Sequence, residues 1–339
     1  MDQIPGSPYG NGFRPYYHAA AFEEREGIRR TANRTALTVL AGILLMSALL
    51  PGVGVTYLKG IGVPVGVTGD FNGIPPVLYY LLLSVDYIFG IAVPVLLYFS
   101  AQHMPLEKGL PFGKTSAAKV VIYVALGCMV CMLANYPANL VAQLQQHFGF
   151  RGDLPSMPLN NDPRVLALYG LSVVVIPPIV EEMLFRGVVL QSLKRYGDGF
   201  AIVVSAIFFG LYHGNPIQFV FAFFSGLVLG YVVIRTGSLL PSILIHLINN
   251  GVSYGEEMVT RFYGQATANF VDVIFFLTFV VLGIGALVVL GRSHSLFSGK
   301  KSGSILPLSS RFFAAFTNFG AIALIVYAVA SSIAMLNHG

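Results

Sequence analysis

The sequence predicts an all-α, polytopic membrane bundle with about eight to nine transmembrane helices around a polar cavity inside the membrane. Hydrophobic residues make up 55% of its 339 residues and charged residues only 10%, whereas soluble domains carry about 25% charged residues. Several apolar runs approach the roughly 20 residues that a helix needs to cross a bilayer, and the strict alternation typical of a membrane barrel strand is absent. Because only helices and closed barrels satisfy their backbone groups in lipid, the fold is predicted to be helical.

Nine apolar segments are the candidate spans. They lie near residues 35–52, 76–99, 117–143, 164–189, 199–214, 216–236, 238–251, 269–291 and 312–335. The fifth and the seventh are short, so either could be a partial or re-entrant helix. Before them, residues 1–34 are polar and basic and are expected to form a cytoplasmic tail without a cleavable signal peptide. The remainder, 35–339, is expected to form a single membrane domain.

The basic residues predict the orientation of this domain. Most of the 20 Lys and Arg residues fall in segments that would share one side of the membrane. The opposite side would hold only Lys59, Arg151, Arg164 and Arg261. By the positive-inside rule, the N-terminus is cytoplasmic. The net charge of +5 comes from residues scattered over short loops, so the expected partner is the lipid bilayer and no nucleic acid is expected.

Ionisable residues inside the predicted spans are few. They are Asp86, Glu181, Glu182, Arg186, His213 and His246, and the neutral polar residues Asn135, Asn139 and Asn250 accompany them. Each charged side chain at the centre of a membrane helix costs about 2.5–3.5 kcal/mol on insertion scales. Such residues therefore normally face a protein interior or a cavity.

The stretch EEMLFR, residues 181–186, contains two glutamates with different expected roles. Adjacent residues of a helix project about 100° apart, whereas residues four apart share one face. Glu182 therefore pairs with Arg186 as structural support. Glu181 is left over, and an uncompensated carboxylate in an apolar setting suits a general base. Its alternative role is that of a second structural partner for Arg186 or for a buried histidine.

Two further polar elements follow on separate spans. In FGLYH, residues 209–213, Phe209 and His213 share a helix face, although a single buried histidine is more often a packing residue. In HLINN, residues 246–250, His246 and Asn250 point the same way. Counting 1.5 Å per residue, Glu181 and both histidines can meet near the middle of the membrane. These residues are the predicted site.

The three motifs resemble those of the CAAX protease and bacteriocin-processing family, which is also called the Abi or type II CAAX prenyl endopeptidase family. EEMLFR is similar to EExxxR, FGLYH to FxxxH and HLINN to Hxx(x)N/D, in the family's order, and the resemblance covers about residues 165–251. It implies an intramembrane endopeptidase in which Glu181 and His213 activate water. His246 and Asn250 would stabilise the oxyanion.

The resemblance also implies the setting of the enzyme. It suggests a bacterial plasma membrane protein whose cavity opens to the cytoplasm and whose substrate is a peptide or a membrane protein. No cofactor is expected, but zinc held by Glu181, His213 and His246 is an alternative. Against zinc, the chain has no HExxH motif, and Asn250 suits an oxyanion donor better than a zinc ligand.

Two alternatives lie outside catalysis. The same buried polar residues, together with Asp86, could form a proton or solute path in a transporter, although no inverted repeat is visible in the sequence. They could also belong to a catalytically silent scaffold or immunity protein.

Overall fold

The computed structural model describes residues 13–66, 70–150, 157–293 and 303–337, and every extended element of regular structure in these ranges is a helix. The helices are α1 (Phe13–Leu44, continued by Leu45–Leu49 and Leu50–Gly60), α2 (Pro76–Ala101), α3 (Ala117–His147), α4 (Pro163–Tyr196), α5 (Asp198–Tyr212), α6 (Pro216–Thr236), α7 (Leu240–Tyr263), α8 (Gln265–Arg292), α9 (Leu308–Phe316) and α10 (Phe319–Asn337). A single further turn lies at Leu106–Gly109. The predicted all-α bundle is confirmed.

The helices also confirm that this is a polytopic membrane protein. Within the described ranges, seven helices are long and apolar enough to cross a membrane. They are α1, α2, α3, α4, α6, α8 and α10. α5 is apolar but shorter, and α7 is long but more polar, because it carries the HLINN motif and the charged residues Glu256, Glu257 and Arg261. Each predicted span coincides with a helix, except that the ninth is divided between α9 and α10.

The first helix begins earlier than the sequence pattern suggested. Residues 13–34, which were expected to belong to a polar tail, form the first part of α1, and residues 1–12 lie outside the described residues. Ile28 and Ala32 are fully buried, and Thr31 accepts a hydrogen bond from Arg195 at 2.9 Å. The reason is an apolar stripe at steps of three and four residues within a charged segment, which continues to Val39.

Hydrogen bonds between helix ends gather most of the basic residues at one end of the bundle. Arg34 donates to Gln102, Arg195 to Thr31, Lys119 to the backbone of Arg235, and Arg311 to the backbone of Tyr196. We call this the basic end; the cations at this end are Arg25, Arg29, Arg30, Arg34, Lys108, Lys114, Lys119, Lys194, Arg195, Arg235, Arg292 and Arg311. The opposite end, here called the far end, carries Lys59, Arg164 and Arg261 among the described residues.

α5 and α6 form a tight hairpin inside the bundle. The 15 residues of α5 rise about 22 Å, which is less than the roughly 30 Å of a hydrocarbon core. The turn after it therefore leaves His213 inside the bundle instead of at the far surface. Gly226 of α6 lets the two helices approach closely, because a Cβ there would lie 3.0 Å from the Cα of Ala206.

Candidate active site

A cavity of about 670 Å³ lies between α4, α5 and α7, with α2, α3 and α6 completing its wall. The predicted residues that line it are Glu181, Phe209, His213, His246 and Asn250. Glu181 is only 3% exposed. The three motifs, which are separated by up to 69 positions between 181 and 250, thus meet around one cavity. Asp86 does not line it, whereas Asn135 and Asn139 do.

Glu182 and Arg186 lie behind the cavity wall and form a buried ion pair. Arg186 Nη1 donates to Glu182 Oε1 at 2.8 Å, and both side chains are completely buried. The second terminal nitrogen of Arg186 donates to the carbonyl of Gly226 at 3.3 Å. Its guanidinium also stacks 4.5 Å from the centre of the Phe209 ring. The pair therefore holds α4, α5 and α6 together.

Glu181 has different surroundings from its neighbour. Tyr87 of α2 donates a hydrogen bond to Glu181 Oε1, and Tyr212 donates to the Tyr87 hydroxyl at 3.0 Å. The other oxygen, Oε2, lies 3.7 Å from His246 Nε2. One oxygen of the carboxylate is thus fixed, while the other faces His246 in the cavity.

Tyr87 is a site residue that the sequence reasoning missed. It is one tyrosine among many in an apolar helix, and it lies outside all three motifs. The only unusual residue beside it is Asp86, which was noted as an ionisable residue within a predicted span and not as a partner of Glu181. The contact joins residues 94 positions apart, so no helical period could have indicated it.

His246 connects the two glutamates. Its Nδ1 lies 3.3 Å from Glu182 Oε1, and its Nε2 is directed toward Glu181. A carboxylate only accepts hydrogen bonds, so the Nδ1 atom carries the hydrogen in this pair. When the ring is doubly protonated, Nε2 becomes a donor toward the cavity.

His213 follows the last residue of α5. Its Nδ1 donates to the carbonyl of Phe209 at 2.8 Å, because a carbonyl can only accept. In the neutral ring, Nε2 is then an acceptor. His213 shares the cavity with Glu181 without an ion-pair contact between them, so a water molecule is the group that would join the two.

Asn250 satisfies a backbone carbonyl that two prolines leave without a donor. Pro177 and Pro178 have no N–H, so Val173 O receives neither the α-helical bond from residue 177 nor the π-helical bond from residue 178. Asn250 Nδ2 donates to this carbonyl at 2.9 Å. One of the two amide hydrogens of Asn250 is therefore structural, and the other remains for a ligand.

The zinc alternative requires Glu181, His213 and His246 to form one donor set. Among the residues that the structure describes, no group of three His, Cys, Asp or Glu side chains is close enough to hold a metal ion. His246 approaches both glutamates, whereas among the described residues His213 makes no ion-pair contact with either of them. As they stand in the described residues, these side chains do not form a three-ligand metal site.

The family comparison falls on this same part of the chain. Residues 163–252 match the model of the type II CAAX prenyl endopeptidase Rce1-like family, and the match covers α4, α5, α6 and the first half of α7. No curated protein and no solved structure matches the chain. The matched segment contains all three motifs, which confirms the predicted resemblance. Residues 163–252 are therefore similar to the type II CAAX prenyl endopeptidase Rce1-like family, which is a family of proteases.

Proposed function

We propose that this protein is an intramembrane endopeptidase in which Glu181 and His213 activate the water that hydrolyses a peptide bond. The observation that carries the proposal is the difference between the two glutamates. Glu182 is committed to Arg186, whereas Glu181 lines the cavity with one oxygen fixed by Tyr87. The family match supports peptidase activity in general.

The first step is attack by water. A water between Glu181 and His213 donates one hydrogen to the Glu181 carboxylate and the other to the acceptor nitrogen Nε2 of His213. Glu181 takes the proton as the oxygen adds to the carbonyl carbon of the scissile peptide bond. The carbonyl π bond opens, and its electron pair becomes the charge of the oxyanion.

The second requirement is stabilisation of that oxyanion. Protonated His246 donates from Nε2, while its Nδ1–H remains on Glu182, and the second amide hydrogen of Asn250 adds another donor. A well-placed donor of this kind supplies about 3 kcal/mol. When the intermediate collapses, the C–N bond breaks and Glu181 returns its proton to the leaving amine. Collapse leaves a carboxylic acid and an amine. The acid passes its proton to the amine, so the products are a carboxylate and an ammonium ion, and the enzyme is regenerated.

The setting follows from the same proposal. The enzyme acts without a cofactor on a peptide or a membrane protein, within a bacterial plasma membrane and with a cytoplasmic N-terminus. The excess of cations at the basic end supports this orientation.

The decisive experiment compares membrane and secreted peptides from cells that carry the intact chain, Glu181→Gln or Asp86→Asn. Asp86 is a matched control, because it is an intramembrane carboxylate that does not line the cavity. We expect an uncleaved peptide to accumulate in Glu181→Gln only, and purified enzyme to cleave that peptide in detergent. An unchanged peptide profile in Glu181→Gln would contradict the proposal. Transport of the peptide across the membrane without cleavage would favour the transporter. If cells that carry Glu181→Gln behave like cells that carry the intact chain, a catalytically silent scaffold would be favoured.

A chelator separates the proposed mechanism from zinc catalysis. We expect purified enzyme to keep its activity after treatment with 1,10-phenanthroline and to contain far less than one zinc per chain by elemental analysis. Loss of activity that returns on adding zinc would instead establish the metalloprotease.

A further inference from the structure

The cavity extends from Glu181 toward the far end of the bundle. Along α7 its lining runs from His246 to Glu257, eleven positions further on, which corresponds to about 16 Å. Along the antiparallel α4 it runs from Glu181 back to Tyr169, a similar distance in the same direction. Met157, in the loop before α4, also lines it. The lining residues of α7, of α4 and of the loop before α4 therefore all indicate that the cavity opens toward the far end.

The opposite direction is closed by apolar packing. Beyond Glu181, α4 continues toward the basic end with side chains that are completely buried: Leu184, Phe185, Val188, Val189, Leu190 and Leu193. The turn at Leu106–Gly109 presses on this part of α4, because a Cβ on Gly187 would lie 3.0 Å from the carbonyl of Gly109. Leu239, at the start of α7, is also fully buried. A peptide cannot reach Glu181 from the basic end without separating these contacts.

From this geometry we infer that the substrate is a peptide segment that enters from the far end and presents a cationic side chain to Glu257. This inference rests on the proposed peptidase function. The positive-inside rule places the basic end in the cytoplasm, so the far end faces the outside of the cell. This differs from the cytoplasmic opening that the family resemblance implied.

The charges of the cavity wall indicate which charge a substrate side chain should carry. Glu257 lines the outer part of the cavity, where Tyr169 donates to its Oε2 at 2.5 Å. Among the described residues, the lining contains no Lys or Arg. A free carboxyl terminus would find no Lys or Arg partner in this lining, whereas a Lys or Arg side chain of a substrate would find the Glu257 carboxylate. The wall therefore favours an internal or cationic segment over a terminal carboxylate.

Cysteine accessibility tests the direction without any assay of activity. Ser253→Cys reports on the cavity, Lys59→Cys on the far end and Lys114→Cys on the basic end. All three variants are made in a Cys128→Ala, Cys131→Ala background, because Cys131 is a free thiol that lines the same cavity, and this background is the blank. In intact cells, we expect a membrane-impermeant maleimide to label Ser253→Cys and Lys59→Cys but not Lys114→Cys. Labelling of Lys114→Cys instead, or of Ser253→Cys only after permeabilisation, would overturn the inference.

Charged thiol reagents test the preference of the cavity. Ser253→Cys in purified protein is treated with cationic (trimethylammonio)ethyl methanethiosulfonate or with anionic sulfonatoethyl methanethiosulfonate, and each rate is divided by that of a free thiol. We expect the cationic reagent to react at least about fivefold faster, because Glu257 lies one turn away on α7. Glu257→Gln should abolish the preference.

The matched control is Glu256→Gln, since Glu256 does not line the cavity and should leave the ratio unchanged. An unchanged ratio in Glu257→Gln would overturn the cationic preference. Neither thiol experiment requires peptidase activity. A negative thiol result would therefore contradict the far-end opening or the cationic preference alone, whereas the peptide comparison between the intact chain and Glu181→Gln tests the peptidase function.

Discussion

Two neighbouring glutamates of one helix have different surroundings, and this difference decides their expected roles. Glu182 is buried against Arg186, and Glu181 faces the cavity beside His246. The helical step of about 100° between adjacent residues is the physical reason. The same step places Arg186 four positions from Glu182, where its guanidinium can also reach α6.

Breaking the ion pair should reduce stability more than losing an exposed arginine. We expect Arg186→Met to lower the free energy of unfolding by about 3–5 kcal/mol, because it leaves Glu182 as a buried carboxylate without its main partner. The double variant Glu182→Met with Arg186→Met should recover part of this loss. Denaturant titration in detergent is the measurement.

Arg34→Met is the control for that prediction. Arg34 is exposed and donates to Gln102 at the basic end, so its loss should cost about 1 kcal/mol or less. Equal stabilities of Arg34→Met and Arg186→Met would show that the buried pair contributes no more than an exposed contact.

Tyr87 should affect catalysis through the position of Glu181. We expect Tyr87→Phe to lower kcat roughly ten- to a hundredfold with a smaller change in KM, because one carboxylate oxygen loses its donor and the base is less well placed. Steady-state kinetics on the peptide that accumulates in Glu181→Gln would measure this. Tyr79→Phe, on the same helix but away from the cavity, should retain normal kinetics. A kcat for Tyr87→Phe equal to that of the intact chain would rule out the positioning role.

At the scale of the element, α4 is interrupted where it forms the site. π-helical turns occupy Leu171–Val175 and Met183–Val189 on either side of the short α-helical stretch that carries Glu181. The first interruption coincides with the loss of two backbone donors at Pro177 and Pro178. Side chains from α7 then become part of the backbone hydrogen bonding of α4, and this fixes the two helices relative to each other.

A double variant can separate the structural role of Asn250 from its catalytic role. We expect Asn250→Ala to cost about 1–3 kcal/mol of stability, because Val173 O loses its donor in a partly buried setting. Adding Pro177→Ala restores an N–H four residues after that carbonyl and should recover most of the stability. If Asn250 also donates to the oxyanion, activity per folded molecule stays low.

Thermal unfolding and kinetics on the two variants provide the measurements. Recovery of both stability and activity in the double variant would assign Asn250 to structure alone. Failure to recover stability would show that the proline, and not only the amide, is required for the interruption of α4.

At the scale of the whole molecule, helices far from the site in sequence complete the bundle around it. α10 lies against α1, where Gly320 N donates to Asn33 Oδ1 at 2.7 Å, and Ala321 and Leu324 are fully buried. α1 in turn reaches the site through Met46, whose sulfur lies 3.7 Å from the Tyr212 hydroxyl. The segment that matches the family thus depends on helices outside it for its packing.

Enlarging Gly320 should separate α10 from α1. A Cβ there would lie 2.5 Å from the carbonyl of Asn33, so we expect Gly320→Val to lower stability by about 1–3 kcal/mol or more. Gly285→Val on α8 is the matched control, since nothing lies within 4 Å of a Cβ at that position. The melting temperatures of both variants in detergent would test this. Equal melting temperatures would contradict the packing role of Gly320.

Much of the site could be predicted from sequence patterns that lie within a single helix. Composition and run lengths predicted the membrane bundle, and the four-residue step paired Glu182 with Arg186 and left Glu181 over. The three motifs indicated the family, because each is contained within one helix. The early start of α1 was missed, since the arginines of residues 25–34 concealed the buried face of Ile28 and Ala32.

The sequence by itself determined the helical class, the positions of the spans and the polar residues that cannot face lipid, because these depend on hydrophobicity and helical period within one segment. Only the tertiary structure decided that Tyr87 holds Glu181, that Asn250 completes α4 and that the cavity opens away from the basic end. Each of these depends on contacts between helices, and the packing of helices is set by shape over long separations in the chain.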